Sequence, residues 1–421
     1  MTNAGSGCYN KRENKGKADE MMSYDILRQA MEEGKGIVRL APNWVPRSFC
    51  RPGRRIRLHP NDYYALGLKR GGIDERWFSS TTPADNGPDT PENEGLSFVV
   101  TDDGKKALLT DLVELYKGEA VGEDIWEKYH RWPMYSKFFD NLGPLPHHIH
   151  HRDGHASLVG LSGKPEMYFF PAQYNNYPGE YAFTFFGVTP GTPKEKMLEI
   201  LKDFPKGDNE ILAYSQGYKL RVDTGWDVPA GILHAPGSLC TYEPQFASDV
   251  YAMYQSVLLG DHTVGEELLW ANTPKEKLGD YEYLLDVIDW EANVDPAFFA
   301  HRFMEPVRVA GSEEEGWYEE WICYKSDVAG AKRLTVLPGG EATVRDPGAY
   351  GTICVEGFGR IGVHDLESPT LIRFGQLTRD EYFVTASAAK EGVTVKNLSR
   401  TQPLVLLKHM ANTSEAAYLR K

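Results

Sequence analysis

The sequence predicts a mainly β fold with helical insertions: two antiparallel jelly-roll barrels in succession, with a metal in the first only. Three observations carry this expectation. Five of the twelve histidines fall between His147 and His155. Further on, two turn sequences deliver single metal-ligating side chains: Gly163-Lys164-Pro165 leads to Glu166, and Pro229-Ala230-Gly231 leads to His234. From about Arg302 to Met410 the strand periodicity persists, yet only His364 and His409 remain, far apart and without a His-x-His.

The histidine cluster is read through strand geometry. Ile149–Leu158 carries enough apolar residues to enter a core as a strand, and strand side chains alternate faces. His148 and His150 then share a face with Cα atoms about 6.5 Å apart, so both rings can reach one ion. His147 and His151 lie about 13 Å apart along an extended chain. They cannot both place a nitrogen ~2.0 Å from one zinc. His148 and His150 are therefore the first two expected ligands, and Glu166 and His234, from neighbouring strands, the other two. A His-x-His, then a Glu, then a distant His after a glycine turn is the ligand order of a cupin barrel, which makes the whole chain an expected bicupin. His147, His151 and His155 are expected around the ligands or at the surface.

Composition narrows the function classes. A hydrophobic content of 41% and an aromatic content of 12% in 421 residues describe an ordinary globular protein with room for two or three cores. The formal net charge of −14 argues against nucleic acid or an anionic membrane surface as partner. It leaves room for a phosphorylated small molecule, which needs only a local cluster of Arg or Lys. The five cysteines are dispersed, with no C-x-x-C, as reduced thiols would be. The first twenty residues are polar, and no run approaches the ~20 apolar residues of a membrane span. A cytoplasmic protein is expected.

Taken in order, residues 1–20 are expected to be disordered and Met21–Glu33 to form a short helix. Residues 21–270 then make the metal-binding domain, with an N-terminal arm and helical insertions. Arg51-Pro52-Gly53-Arg54-Arg55-Ile56-Arg57 is the most basic stretch, read as a solvated edge or as a clamp for phosphate or carboxylate. Glu75–Ser80 and Leu96–Thr101 read as strands around a turn-rich loop, Thr81–Gly95. Asp103 is expected to cap a helix over Lys105–Tyr116, and a second amphipathic run carries Trp126, Tyr129 and Trp132. Gln173–Glu180 holds Tyr174, Asn175 and Tyr177, a mix suited to stacking on a sugar. Thr192-Pro193-Lys194-Glu195 reads as a capping box opening a helix to about Phe204, and Thr273-Pro274-Lys275-Glu276 repeats it. The second device begins a helical connector, 271–301. Residues 302–421 form the metal-free domain, with strands at 317–324, 333–337, 352–355, 371–374, 382–386, 393–397 and 404–408.

With these residues in place, the chain resembles the type I phosphomannose isomerases, cupin enzymes that hold one zinc and interconvert mannose 6-phosphate and fructose 6-phosphate. The resemblance covers roughly residues 70–290 and, more loosely, the second barrel. Glu75-Arg76-Trp77 is similar to the family's early Glu-x-Trp strand, and Tyr135–Asn141 to the strand before its metal motif. His148-Ile149-His150 stands at its Gln-Val-His, Lys164-Pro165-Glu166 at its Lys-Pro-Glu, and Pro229–His234 at its last ligand turn. Two departures are plain. His148 replaces a glutamine, and Ser248–Tyr254 carries no arginine where the family has Arg-Ala-Gly-Leu, whose Arg is thought catalytic.

What the resemblance implies is an aldose–ketose isomerase acting on a sugar or sugar phosphate through an enediolate. One divalent metal is expected on His148, His150, Glu166 and His234: zinc first, with Mn, Fe, Co and Ni as alternatives. Lys164, Glu243 and Asp249 are the acid/base candidates, since a nearby cation lowers an ammonium pKa. Arg152, Tyr168, Tyr174 and Tyr251 are the expected substrate contacts, joined by Asn175, Tyr177 and Tyr254. With the family's arginine absent, Arg152 or the Arg54-Arg55 stretch would have to supply charge to a phosphate. An Fe(II) cupin dioxygenase and a non-catalytic, metal-containing sugar-binding protein are the alternative functions.

Overall fold

Strands dominate the protein because β-branched and aromatic residues alternate with small and polar ones through most of its length. The structure, a computed structural model, describes residues 21–176, 181–258, 260, 262–310 and 316–420. The expectation of disorder for residues 1–20 and the placement of Tyr177 lie outside these residues.

Four large antiparallel sheets make up the fold. A seven-stranded sheet runs, in spatial order, Phe303–Met304, Gly225–Val228, Glu166–Phe169, Thr241–Phe246, Met134–Phe139, Gly72–Phe78 and Asn43–Arg47. A five-stranded sheet runs Ser215–Lys219, Phe183–Val188, His234–Ala235, His148–Ile149 and Ala252–Met253. Apolar residues of both, among them Ile149, Tyr168, Phe186, Trp226 and Val228, share one core. That core forms because each strand turns one set of alternate side chains away from water.

A nine-stranded sheet joins the C-terminal strands to the N-terminal arm. Ile37–Leu40 pairs with Glu381–Val384 on one side and Phe98–Val100 on the other. The arm is thus an integral part of the C-terminal half. A four-stranded sheet of Glu341–Val344, Val393–Asn397, Phe358–Ile361 and His364–Glu367 completes that half. The halves are also tied electrostatically. Buried Arg76 donates from one nitrogen to Asp380, at 2.8 Å, and from the other to Glu381, at 3.2 Å. Among the described residues each sheet has two free edges, so the architecture is mainly β, antiparallel and open-sheeted.

Several local expectations need correction. The strand expected over Ile149–Leu158 ends at Ile149, and the chain turns into a helix at Asp153–Ala156. Asp153 takes a hydrogen bond from the Gly163 amide at 2.7 Å, which folds this stretch back instead of letting it extend. The helix expected from Lys105 starts only at Leu109, because Lys106–Leu108 pairs with Phe98–Val100. The first capping box does not form: the Thr192 hydroxyl donates to the Thr189 carbonyl, and Pro193 caps Lys194–Lys202 without a side-chain bond. The second gives only a 3-10 turn at Lys275–Lys277; Asp280, accepting from the Tyr283 amide, caps the helix Tyr281–Val287. The strand expected at 371–374 reduces to one bridge between Leu58 and Ile372.

Candidate metal centre and charged cleft

The site forms where the five- and seven-stranded sheets face one another. His234 pairs directly with His148 across adjacent short strands, and His150 follows one residue after the His148 strand ends. The two-residue spacing does the rest, placing the His148 and His150 rings 5.1 Å apart and the His148 and His234 rings 4.1 Å apart. One ligand atom from each of the three lies within 4.8 Å of the others. From the opposite sheet, Glu166 brings its carboxylate 2.9 Å from His150 Nε2 and 3.2 Å from His234 Nε2.

Each imidazole is oriented by the backbone. Nδ1 of His148 meets the Pro146 carbonyl at 2.7 Å, that of His150 the Val250 carbonyl at 2.8 Å, and that of His234 the Ile232 carbonyl at 2.9 Å. A carbonyl only accepts, so each Nδ1 carries the proton and each Nε2 offers a lone pair to the centre. Such backbone clamps are what orient metal-binding histidines. Burial first, then the Lys164 charge and the neighbouring imidazole, hold His150 down at about 4 in spite of Glu166, and its ring is neutral at pH 7.

This donor set fits a divalent cation. Glu166 oxygens and imidazole lone pairs approach one another with no hydrogen between them, and both Glu166 Oε2 and His234 Nε2 lack a hydrogen-bond partner. Two acceptors do not sit together in a dry interior without a positive charge between them. Ligands ~2.0 Å from one tetrahedral zinc lie about 3.3 Å apart, close to the spacings seen. Lys164 supplies the nearest positive charge, with Nζ 2.9 Å from Glu166 and 3.1 Å from His150 Nε2. The Tyr168 hydroxyl donates to the other Glu166 oxygen. Burial works to raise Glu166, and the Lys164 ammonium beside it works to lower it.

Around the histidines runs a chain of buried charges. Lys164 lies 3.5 Å from Glu243, Glu243 lies 3.3 Å from Lys137, and Lys137 lies 2.9 Å from Glu75. Arg47 closes the chain, 3.1 Å from Glu75 and 3.0 Å from Asp249. Burial and the Glu166 charge push Glu243 up to about 8 against the pull of both lysines. Glu243 Oε1 lies within ion-pair reach of two ammoniums yet is hydrogen-bonded to neither. The free space between these groups is about 30 Å³. A larger cavity of about 420 Å³ adjoins it, with Asp249 in the walls of both.

The expected site residues divide into two sets. His148, His150, Glu166, Lys164, Glu243, Asp249, Tyr168 and Tyr251 line the cleft, and His234, fully buried, joins His148 and His150 behind its wall. Arg152 and Tyr174 do not. Arg152 donates to the Asp286 carbonyl at 2.8 Å, and Tyr174 is buried beneath Arg57 and against Phe138. Arg55 is likewise held away, by Asp140 and the Ser238 carbonyl. Asn175 and Tyr254 make buried backbone contacts elsewhere. His147 meets the Ser215 hydroxyl at 2.8 Å, and buried His151 has neither ring nitrogen bonded. Sequence reasoning missed Arg47, Glu75 and Lys137 as cleft residues. The available signal was a lone charge at the centre of an apolar strand, as Lys137 stands in Met134–Phe139.

The fold and site define a class: an open antiparallel β architecture with a three-histidine centre set between two sheets. No protein-family model matches the sequence, and no curated protein matches it. Solved structures of mannose 6-phosphate isomerases share the fold. That from Bacillus subtilis aligns with a TM-score of 0.58 at 16% identity, over 88% of this chain and 99% of its own. A histidine-to-alanine variant of the Salmonella typhimurium phosphomannose isomerase gives 0.60 at 13%, over 89% and 99%. A zinc-bound mannose 6-phosphate isomerase gives 0.58 at 13%, over 90% and 100%. The chain therefore has the fold of these isomerases over nearly its whole described length.

Proposed function

We propose that the chain is a metal-dependent aldose–ketose isomerase acting on a sugar or sugar phosphate. The observation that carries this reading is the convergence of three backbone-clamped Nε2 lone pairs on Glu166, with Lys164 and a protonatable Glu243 in the same buried cleft. His148, His150, Glu166 and His234 would hold one divalent ion, zinc by analogy with the zinc-bound structure of like fold. The ion would supply Lewis acidity to the sugar oxygens at C1 and C2.

Everything else falls to the chain's own side chains. Glu243, poised near neutrality, takes the proton from the hydroxyl-bearing carbon, exchanges it with solvent and delivers a proton to the neighbouring carbon. Lys164 donates a proton to the oxygen on which the enediolate charge develops and recovers one from the hydroxyl that becomes the new carbonyl, and Tyr168 fixes the Glu166 carboxylate in place. Asp249 is the weaker acid/base candidate, since Arg47 grips both its oxygens at 3.0 and 3.2 Å.

In the same reading two divergent jelly rolls divide the work: 21–270 holds the metal and lends its N-terminal arm to the nine-stranded sheet of the other, 271–301 connects, and 302–421 holds none. The division separates roles while the shared nine-stranded sheet keeps the halves together. The four described cysteines are free and buried, which suits a reducing, cytoplasmic compartment. The test is turnover of an aldose panel and its phosphates by metal-loaded protein. Conversion to the matching ketoses that disappears with chelation supports the reading, whereas metal-loaded protein inert on every aldose opposes it.

A further inference from the structure

We propose that the cleft selects an unphosphorylated sugar, so that the substrate class is a neutral aldose or ketose. This inference rests on the isomerase reading and narrows it. Three cations line the cleft, Arg47, Lys137 and Lys164, and four carboxylates face them: Glu75, Glu166, Glu243 and Asp249. The cationic side chains are only 3%, 7% and 3% exposed, and each lies within ion-pair distance of two carboxylates. A divalent ion on Glu166 would take up that carboxylate's charge, yet Arg47, Lys137 and Lys164 would each keep a buried partner in Glu75, Asp249 or Glu243, so a phosphate dianion entering here would have to draw a cation from a buried pair and leave a carboxylate unpaired, which a low-dielectric interior strongly opposes. Hydroxyl groups face no such conflict. They donate to carboxylates such as Glu243, whose Oε1 lacks a hydrogen-bond partner, and accept from the lysines.

Arg54, Arg55, Arg57 and Arg152, the arginines able to bring compensating charge, line neither cavity. Arg152 is bound at Asp286, Arg55 at Asp140, and Arg57 at Ser368 and the Val355 carbonyl. The adjoining 420 Å³ cavity, where the rest of a substrate would sit, has one arginine, Arg131, against two carboxylates, Asp85 and Asp249. Its hydroxyl-bearing walls, Thr82, Thr90, Ser162 and Ser248, again suit neutral polyols.

The experiment uses the full-length, metal-loaded protein and reads turnover and binding separately. Turnover of mannose and fructose is compared with that of their 6-phosphates, and binding of the same four compounds is titrated calorimetrically. The proposal expects kcat/KM and affinity at least tenfold higher for the neutral sugars. Equal or better turnover of the phosphates overturns it. If neither set turns over, the isomerase reading fails, and the affinities alone decide: tighter binding of phosphosugar overturns the substrate class, tighter binding of neutral sugar upholds it. A variant gives a second handle. Asp249→Asn removes one of the two carboxylates that hold Arg47, and the phosphate-to-neutral affinity ratio should rise about tenfold. Wild-type preference for phosphate that disappears in Arg131→Ala would locate a phosphate site in the outer cavity and refute the proposal.

Discussion

Replacing His234 with Ala should uncouple the protein's thermal stability from divalent metal. His234 is fully buried, its Nδ1 is held by the Ile232 carbonyl, and its Nε2 lacks any hydrogen-bond partner. A ligand that binds only the folded state stabilises it by about 2.7 kcal/mol at one hundred times its Kd. A chain of 421 residues unfolds with an entropy of about 0.9 kcal/mol/K if its halves melt together, as the shared nine-stranded sheet requires. Adding metal to stripped wild-type protein should therefore raise Tm by about 3 °C at that concentration, and by about 1.5 °C more for each further decade. The assay is differential scanning calorimetry of chelated and metal-loaded protein, run separately for each variant. Any cavity left by the alanine then cancels within each pair of scans. In His234→Ala the shift should vanish, while in His147→Ala, whose ring meets Ser215 instead, it should persist. An undiminished metal shift in His234→Ala would refute the ligand assignment.

Other expectations follow from the same geometry. Glu243→Gln should retain metal, measured by mass spectrometry, while kcat falls by about 10²–10⁴ if Glu243 moves the proton. Arg76→Ala leaves Asp380 as an uncompensated buried charge and strips Glu381 of its donor, and should cost about 3–5 kcal/mol in denaturant unfolding. His409, buried and held at about 3 by desolvation, faces the Tyr242 hydroxyl at 2.9 Å and stays neutral in the folded state. The unfolded chain takes up a proton below about 6.5, so this residue's contribution is lost as pH falls from 6.5 towards 3. The loss from this residue should reach about 2 kcal/mol by pH 5, read as a shallower acid limb of stability in His409→Phe.

How far the sequence could be read depended on whether a feature was local. His148 and His150 were legible because a two-residue spacing fixes a shared face wherever the chain is extended, and Glu166 and His234 because glycine and proline turns marked their entry. The likeness to the isomerase fold rested on the same motifs. The limits of the His148 strand were not legible, since the reversal depends on Asp153 reaching the Gly163 amide, ten residues away. Neither capping box formed, because Thr192 found a nearer carbonyl and Asp280 made the better cap. The position of Ile37–Leu40 between strands from opposite ends of the chain is a long-range pairing that no window of residues encodes. Arg47 reached the cleft by the same kind of pairing, alongside Glu75, so the absence of arginine from 248–254 hid a guanidinium that arrives from another strand.

The central claim is that a metal held by these histidines lets Glu243 carry a proton between two sugar carbons. The most direct measurement is solvent deuterium incorporation, followed by NMR, when the metal-loaded full-length protein is incubated with mannose or fructose in D₂O. The account predicts deuterium at C2 of the aldose or C1 of the ketose, lost on chelation and in Glu243→Gln. Protein carrying one metal per chain that leaves both carbons fully protiated, with mannose and fructose and with their phosphates alike, would contradict it.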